Sequence, residues 1–484
     1  MLFNSLEYAV FLPLVFALYW ILPHKFRWIL LFISSYYFYM SWNVKYVALI
    51  LFTTIISYVC SLLLEKTENV KLKKAYITVT LCASLGVLFF FKYFNFFSNS
   101  ICEVLNKMAI PLNPVTINVL LPVGISFYTF QTLSYVIDVY RGDVKPEHHF
   151  GKYATFISFF PQLVAGPIER TGNLLPQITK EHQFDYKKAT YGLKLMAWGF
   201  FKKIAVADTL AIYVDQVYGN PEKYQGAVLV LVSMMFAIQI YCDFSGYSDI
   251  AIGTAKLFGI DLMKNFRSPY FSSGIKEFWS KWHISLSTWF KDYVYIPLGG
   301  NRKGEFRRSM NLIITFLVSG LWHGANWTYV IWGGIHGVSQ VLENVFKRIF
   351  TKKKERKNIG YLRYWGSVIL LFLFCTVTWI FFRAGTVSEA IYIFENMFIG
   401  IGNPWTYLRA GISALNCSRL EKINMLVMFL ILFVYDYFDE KTDVITKISE
   451  LSIPVRWMIY ILLTLLIILF VPLESGGEFI YFQF

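Results

Sequence analysis

The stretch "SGLWHGANWTYVIWGGIHG" (residues 319–337) places two histidines and five glycines between long apolar segments. A helix over 310–321 would rise about 18 Å at 1.5 Å per residue. That rise carries His323 beyond the middle of a hydrocarbon layer about 30 Å thick. A second helix, over 326–346, would then return to the side from which the first one started. We therefore predict that WHGAN is a turn buried inside a membrane.

The composition agrees with that location. The chain has 484 residues, of which 56% are hydrophobic and only 16% are charged, whereas soluble domains carry about 25% charged residues. A soluble protein of this length could not cover so apolar a chain with polar surface. The net charge is +14, which we interpret as Lys and Arg held on the cytoplasmic side of a lipid bilayer. We therefore expect no nucleic-acid partner.

Apolar stretches of about 20 residues predict membrane-spanning helices. The clear candidates are 28–42, 46–64, 75–97, 119–140, 226–242, 326–346, 365–382 and 457–473. Weaker or shorter candidates are 8–22, 190–206, 310–321 and 425–438. The sequence thus predicts an all-α, polytopic integral membrane protein with about 11–13 membrane-embedded helices, some of them broken or re-entrant.

Short basic loops predict the orientation, because Lys and Arg collect on the cytoplasmic side. The basic loops are 24–27, 65–74, 141–152, 301–308 and 347–363. Counting spans between these loops places both chain ends outside the cell. The final residues, "FIYFQF" (479–484), would then lie at the extracellular side of the protein.

Ionisable residues interrupt the apolar pattern in the middle of the chain, and such groups at membrane depth mark sites or water-filled paths. His323 is the first candidate, because Gly320 and Gly324 would permit a break and let a ligand approach the backbone. An imidazole there can act as a general base without a net charge to desolvate. This chemistry suits removal of a proton from a hydroxyl or a thiol.

His283, in "FWSKWHISLSTWF" (residues 278–290), is the second candidate. Trp279, Trp282 and Trp289 have helical spacing, which predicts one packed face of a single helix. We expect His283 to face the same cavity as His323.

The segment "DFSGYSDIAIG" (243–253) adds two carboxylates. Asp243 and Asp249 are six positions apart and do not share a helix face, so a joint metal or acid–base site is not expected. We predict instead a broken helix that lines a polar path, with Ser245 and Tyr247 as hydrogen-bond donors. No metal site is predicted anywhere in the chain.

Several longer motifs in this chain resemble the membrane-bound O-acyltransferase (MBOAT) family. They are "LPVGISFYTFQTLSYVIDVYRG" (121–142), "FFPQLVAGPIER" (159–170), "DFSGYSDIAIG" (243–253), "WHISLSTWFKDYVYIPLGGNRKG" (282–304) and the stretch at 319–337. The most similar branch contains the bacterial alginate O-acetyltransferase and the teichoic-acid D-alanyl transferase. The resemblance covers residues 1–385, which predicts an acyltransferase core, and leaves 386–484 as C-terminal spans with an extracellular tail.

The resemblance implies helices around a central tunnel in the bacterial cytoplasmic membrane, with an acyl donor entering from the cytoplasm. The family's hallmark His corresponds to His323 and its second polar residue to His283. His336 would be a supporting residue, since 13 positions along a helix would separate it from His323 by about 20 Å. Trp322 and Asn326 flank the hallmark His and are also supporting candidates.

The donor implied by the acetyl branch is acetyl-CoA, used as a substrate, and no bound cofactor is expected. The basic residues near the inner mouth could hold its phosphates, although positive-inside charge explains them equally well. These residues are Arg302, Lys303, Arg307 and Arg308.

The tail contains the pattern F-x-Y-x-x-F, made by Phe479, Tyr481 and Phe484. It resembles the C-terminal motif of the small single-span partner in the teichoic-acid D-alanylation system, whose Tyr is proposed to carry the acyl group. Tyr481 is accordingly a candidate acyl carrier, since its phenol is a plausible nucleophile once a base removes the proton. An aromatic belt at the membrane interface is the alternative.

The sequence thus favours an enzyme that moves acetyl groups across the membrane to a cell-surface polysaccharide. An extracellular partner with a Ser-Asp-His hydrolase-like domain would complete the transfer. One alternative is transfer of D-alanine to teichoic acid. Another, from a different class, is an exporter of a polysaccharide or lipid-linked sugar, although transporters usually contain internal repeats and none is visible here.

Overall fold

The computed structural model describes residues 1–350, 360–470 and 479–480, and those residues form helices and loops without any strand. Four of the helical stretches are long and apolar enough to cross a membrane: Val44–Lys66, Val70–Lys107, Ala227–Leu257 and Tyr361–Arg383. Leu6–Ile21 and Ile453–Leu469 are shorter apolar helices. The prediction of an all-α membrane protein is confirmed.

The α-helices of the described residues are α1 (Leu6–Ile21), α2 (His24–Met40), α3 (Val47–Lys66), α4 (Val70–Leu88), α5 (Phe94–Lys107), α6 (Ile125–Arg141), α7 (Phe150–Ser158), α8 (Phe160–Leu163), α9 (Thr171–Thr179), α10 (Tyr186–Phe200), α11 (Thr209–Tyr218), α12 (Ala227–Leu257), α13 (Ile275–Lys281), α14 (Ile284–Phe290), α15 (Gly304–His323), α16 (Trp327–Phe350), α17 (Tyr361–Arg383), α18 (Val387–Asn396), α19 (Pro404–Ala414), α20 (Arg419–Asp439), α21 (Val444–Glu450) and α22 (Ile453–Leu469). Turns of π-helix occur at Phe89–Tyr93, Phe201–Asp208 and Lys291–Tyr295. Short 3₁₀ helices occur at Val44–Tyr46, Pro221–Lys223 and Pro269–Phe271.

The chain forms two compact units. The first contains Met1–Met196 and Ile250–Met263, and the second contains Ala197–Asp249 and Lys264–Phe484. Each candidate site residue that the structure describes belongs to the second unit.

Small polar residues pack the helices of the first unit. Ser57 on α3 shares a 2.6 Å hydrogen bond with the Tyr153 hydroxyl, and Tyr8 shares a 2.7 Å hydrogen bond with Thr254. A Cβ atom on Gly253 would lie 2.5 Å from the Gly192 carbonyl oxygen. Such close contacts through small residues and hydroxyls are typical of helices packed inside a membrane.

Helices α15 and α16 of the second unit form a hairpin whose turn is Gly324–Asn326, so the chain does reverse at WHGAN. Gly320, however, lies inside α15 and does not form the break. A Cβ atom at Gly320 would meet the Tyr329 carbonyl oxygen at 2.2 Å, and one at Gly333 would meet the Phe316 carbonyl oxygen at 2.3 Å. These two glycines bring the helix backbones together, so Gly320 serves helix packing where we had predicted ligand access.

We expect Gly320→Ala to lower the stability of the protein, because the added methyl group meets backbone that cannot rotate away. Overpacking of this kind costs roughly 1–3 kcal/mol, and the apparent Tm in detergent should fall by several degrees. Gly366→Ala on α17 is a matched control, since a Cβ atom there meets nothing within 4 Å. Equal Tm values for the two variants would contradict the assignment of Gly320 to helix packing.

Two predictions from the sequence, the start of one helix and a break in another, were wrong. The span predicted at 119–140 begins as a helix only at Ile125, after an irregular segment. The break predicted within 243–253 does not occur, because α12 continues through it to Leu257. A helix satisfies its own backbone hydrogen bonds, and the polar side chains of this segment find partners on neighbouring residues, as described below.

Candidate active site

His283 lies at a break between two short helices. Helix α13 ends at Lys281 and α14 begins at Ile284, and His283 has a left-handed φ of +44°. The single helix predicted for this segment is therefore wrong, and its three tryptophans do not share a face. A non-glycine residue in this region of backbone space is strained, and such residues are concentrated at functional sites.

Asn265 holds this break in place. Its carbonyl oxygen accepts a 2.9 Å hydrogen bond from the Ile284 N–H. Its side-chain oxygen accepts hydrogen bonds from the Ser285 hydroxyl at 2.7 Å and the Ser285 N–H at 3.2 Å. The Asn265 amide in turn donates to the Ser248 hydroxyl of α12 at 3.3 Å. Asn265 was not identified from the sequence, because nothing in the local pattern links it to His283, which is 18 positions further along the chain.

His323 is the last residue of α15 and is only 3% exposed. Its imidazole is surrounded by aromatic rings, with centroid distances of 4.9 Å to Trp322, 5.2 Å to Trp332 and 5.3 Å to Phe382. This enclosure excludes bulk water, and electrostatic interactions are stronger in such an apolar environment than in water.

Trp322 connects the two candidate histidines. Its ring lies 4.9 Å from the His323 imidazole and 6.2 Å from the His283 imidazole. His283 is 1% exposed and packs edge-on against Phe244 at 4.4 Å. The two histidines, 40 positions apart in the sequence, thus both have Trp322 as a neighbour.

His336 occupies a different environment. Trp279 donates a 3.3 Å hydrogen bond to its Nδ1 atom, and its Nε2 atom lies 3.0 Å from the Thr378 hydroxyl. Both ring nitrogens thus take part in hydrogen bonds between helices. The predicted 20 Å separation from His323 is wrong, because the hairpin turn brings α16 back alongside α15. Trp332 contacts both imidazoles, at 5.2 Å from His323 and 5.1 Å from His336.

Two buried lysines from the π-helical turn Phe201–Asp208 face the carboxylates of α12. Lys203 lies 2.5 Å from Asp243 and 2.8 Å from Asp208, and Lys202 lies 2.6 Å from Asp249. Each carboxylate of 243–253 therefore has a lysine of its own. The sequence signal was two consecutive lysines within an apolar stretch, which are costly in a membrane unless paired.

Ser245 and Tyr247 also lie in this region. Lys202 donates a 2.9 Å hydrogen bond to the Ser245 hydroxyl, so Ser245 is an acceptor in this contact, whereas we had predicted a donor. The Tyr247 ring lies 4.8 Å from that of Phe479, in the C-terminal tail.

The described part of the tail is buried in the second unit. Phe479 is 2% exposed and Ile480 is 5% exposed. The Ile480 N–H donates a 2.9 Å hydrogen bond to Asp243 Oδ2, and the Phe479 ring lies 5.9 Å from that of Phe244. Phe244 is the residue whose ring packs against His283. Tyr481 follows Ile480 in the chain but lies outside the described residues.

The remaining candidates are at the ends of the α15–α16 hairpin. Asn326 donates a 2.7 Å hydrogen bond to the Gly385 carbonyl oxygen and accepts one at 3.1 Å from the Thr328 N–H, which fixes the start of α16. The basic residues Arg302, Lys303 and Arg307 are exposed, and Arg308 pairs with Glu305 at 3.3 Å.

A profile of the membrane-bound O-acyltransferase (MBOAT) family matches residues 144–384. Both candidate histidines, the lysine–carboxylate pairs and the α15–α16 hairpin fall within those residues. The chain belongs to this family and is a membrane acyltransferase.

Three relatives illustrate the similarity. A probable alginate O-acetylase (AlgI) of Azotobacter vinelandii is 38% identical over 439 residues, which cover 90% of this chain and 85% of that protein. A peptidoglycan O-acetyltransferase of Helicobacter pylori is 33% identical over 431 residues, covering 82% and 80% of the two chains. A teichoic acid D-alanyltransferase of Streptococcus thermophilus is 29% identical over 290 residues, covering 55% and 68%.

Proposed function

We propose that this protein transfers acetyl groups from cytoplasmic acetyl-CoA across the bacterial cytoplasmic membrane for O-acetylation of a cell-surface polysaccharide. The observation that carries the proposal is the pair of buried imidazoles, His283 and His323, whose rings lie 6.2 Å and 4.9 Å from the Trp322 ring. The acetylases among the relatives support the acetyl group and a polysaccharide acceptor, because they match the chain more closely and over more of its length than the D-alanyltransferase does.

In the proposed reaction, His323 is the general base. Its imidazole accepts the proton of the attacking hydroxyl, and the hydroxyl oxygen bonds to the thioester carbonyl carbon. The carbon–sulfur bond then breaks, and the proton passes to the leaving thiolate of coenzyme A. His283 donates a hydrogen bond to the oxyanion that develops on the carbonyl oxygen. His336 takes no part in this scheme, because its ring nitrogens are engaged with Trp279 and Thr378.

The first acceptor in this proposal is the Tyr481 hydroxyl. Its phenol becomes an acetyl ester, and an extracellular partner with a hydrolase-like triad then moves the acetyl group to the polysaccharide. The burial of Phe479 and Ile480 supports this step. The Phe479 ring packs against Phe244, whose ring in turn packs against the His283 imidazole, and Tyr481 is two positions after Phe479 in the sequence. Arg302, Lys303 and Arg307 would bind the coenzyme A phosphates at the cytoplasmic mouth.

Transfer of D-alanine from a carrier protein is the second candidate, favoured by the D-alanyltransferase relatives. The two reactions can be separated with purified protein in proteoliposomes. We expect label from [¹⁴C]acetyl-CoA to appear on the protein, and no label from a D-alanyl-loaded carrier protein. Label from D-alanine, with none from acetyl-CoA, would replace the proposed donor.

The same assay can rank the histidines. We expect His283→Ala to reduce acetyl transfer at least about tenfold more than His336→Ala, because only His283 faces the reacting carbonyl in this scheme. His336→Ala should mainly lower the Tm, since removal of a large buried side chain costs about 3 kcal/mol. Equal rate losses, or a larger loss in His336→Ala, would mean that the two roles are exchanged.

A further inference from the structure

Asp243 uses its two carboxylate oxygens for two different donors. Oδ1 lies 2.5 Å from the Lys203 ammonium group, and Oδ2 accepts the 2.9 Å hydrogen bond from the Ile480 N–H. Asp243 is 2% exposed and lies on α12, 237 positions before Ile480 in the chain. A buried carboxylate in a membrane helix is costly to retain, so its contact with the main chain of the C-terminal tail calls for an explanation.

Aromatic rings beside Asp243 form the other half of the contact. The Phe479 ring lies 4.8 Å from the Tyr247 ring and 5.9 Å from the Phe244 ring. Asp243, Phe244 and Tyr247 lie within five positions on α12, and together they hold two consecutive tail residues. The aromatic rings contact the Phe479 side chain, and the carboxylate contacts the Ile480 backbone.

We propose that Asp243, Phe244 and Tyr247 form a docking site that fixes the register of the C-terminal tail. The aromatic rings bind Phe479, and the carboxylate binds the Ile480 N–H. A backbone N–H identifies a position in the chain whatever the side chain is, so this hydrogen bond sets the register of the tail relative to α12. Asp243 is thus a positioning residue for the tail, and Tyr481 is the next residue after the docked pair in the sequence.

The buried lysine keeps this carboxylate available. Lys203 pairs with both Asp243 and Asp208, and its contact with Oδ1 leaves Oδ2 of Asp243 directed at the tail. Asparagine would offer one oxygen and one NH₂ group to the same two donors. The charged Lys203 ammonium group is the stronger donor and would take the oxygen, so the NH₂ group would face the Ile480 N–H and that hydrogen bond would be lost. Lys203 would still have Asp208 as a partner at 2.8 Å, so the core should tolerate the change.

Hydrogen exchange of the C-terminal peptide, in the full-length protein in nanodiscs, tests docking directly. We expect Asp243→Asn to speed exchange of the Ile480 amide at least about tenfold, as for loss of a hydrogen bond to a charged group. Asp249→Asn is the matched control. Asp249 is also a carboxylate of α12, but its partner is Lys202 and not the backbone of the tail. Wild-type protection in Asp243→Asn, or equal acceleration in both variants, would overturn the docking site. If Asp243→Asn does not accumulate, Phe479→Ala should also deprotect Ile480, and unchanged protection there would have the same meaning.

Single-glycine insertions test the register, and this arm rests on the proposed function. An insertion between Gly476 and Gly477 lies before the docked residues, so acetylation should remain within about threefold of wild type. An insertion between Ile480 and Tyr481 shifts Tyr481 beyond the dock, so acetylation should fall at least about 100-fold. Equal effects of the two insertions would overturn the register. If Tyr481→Phe proves fully active, the carrier role fails, while the exchange experiment still decides whether the tail is docked.

Discussion

Replacement of His323 by alanine should abolish acetyl transfer while the protein still folds and inserts. Loss of a general base typically costs 10²–10⁴-fold in rate, and no second imidazole is placed to take over. His336 is engaged with Trp279 and Thr378, and His283 is assigned to the developing oxyanion, with its ring 6.2 Å from that of Trp322. The measurement is the initial rate of label transfer from [¹⁴C]acetyl-CoA, together with expression level and Tm.

Two companion variants make the result interpretable. His323→Gln keeps a polar side chain of similar size but cannot act as a base near neutral pH, so it should be as inactive as His323→Ala and more stable. Trp332→Phe alters a ring that contacts His323 at 5.2 Å but leaves the imidazole in place, and it should retain most of the activity. Near wild-type transfer by His323→Ala, or by His323→Gln, would remove His323 from the proposed mechanism.

Tyr481→Phe should stop polysaccharide acetylation as completely as His323→Ala. The substitution removes one hydroxyl and keeps the ring, so an aromatic packing role would survive it. The carrier role would not, because phenylalanine has no oxygen to receive the acetyl group. The change should leave the Ile480 hydrogen bond to Asp243 intact, so hydrogen exchange of the tail should match that of the wild type.

The acetyl ester can also be sought directly. In cells that lack the extracellular partner, intact mass analysis of the C-terminal peptide should show an acetyl adduct on Tyr481, and His323→Ala should lack it. The double variant His323→Ala/Tyr481→Phe should be no less active than either single variant, because both residues act in one step. An active Tyr481→Phe protein without any adduct in the wild type would reduce the tail to a packing element.

The sequence alone determined the class of fold. Hydropathy predicted a helical membrane protein, because a chain in lipid must satisfy its backbone hydrogen bonds internally. It also predicted the reversal at WHGAN, since two apolar segments on either side of a polar, glycine-containing stretch leave few other arrangements. The motifs around His283 and His323 were sufficient to identify the family, which the profile match and the relatives confirm.

Tertiary structure decided how the polar residues are used. Helix α12 continues through 243–253 because Lys202 and Lys203 neutralise its two carboxylates from a different part of the chain. Local sequence could not reveal that pairing, and it predicted a break instead. The role of Gly320 was mispredicted for a similar reason. A glycine that allows two helices to pack closely and a glycine that ends a helix look alike in sequence.

The site itself depends on contacts between residues far apart in the chain. Asn265 holds the strained turn at His283, and the rings of His283 and His323 both lie near that of Trp322. The final residues looked like an aromatic anchor or a carrier motif, and sequence could not distinguish the two. Only the folded chain brings the backbone of Ile480 to Asp243. The physical reason is that this buried carboxylate, paired with Lys203 through one oxygen, can accept a hydrogen bond from a distant segment through the other.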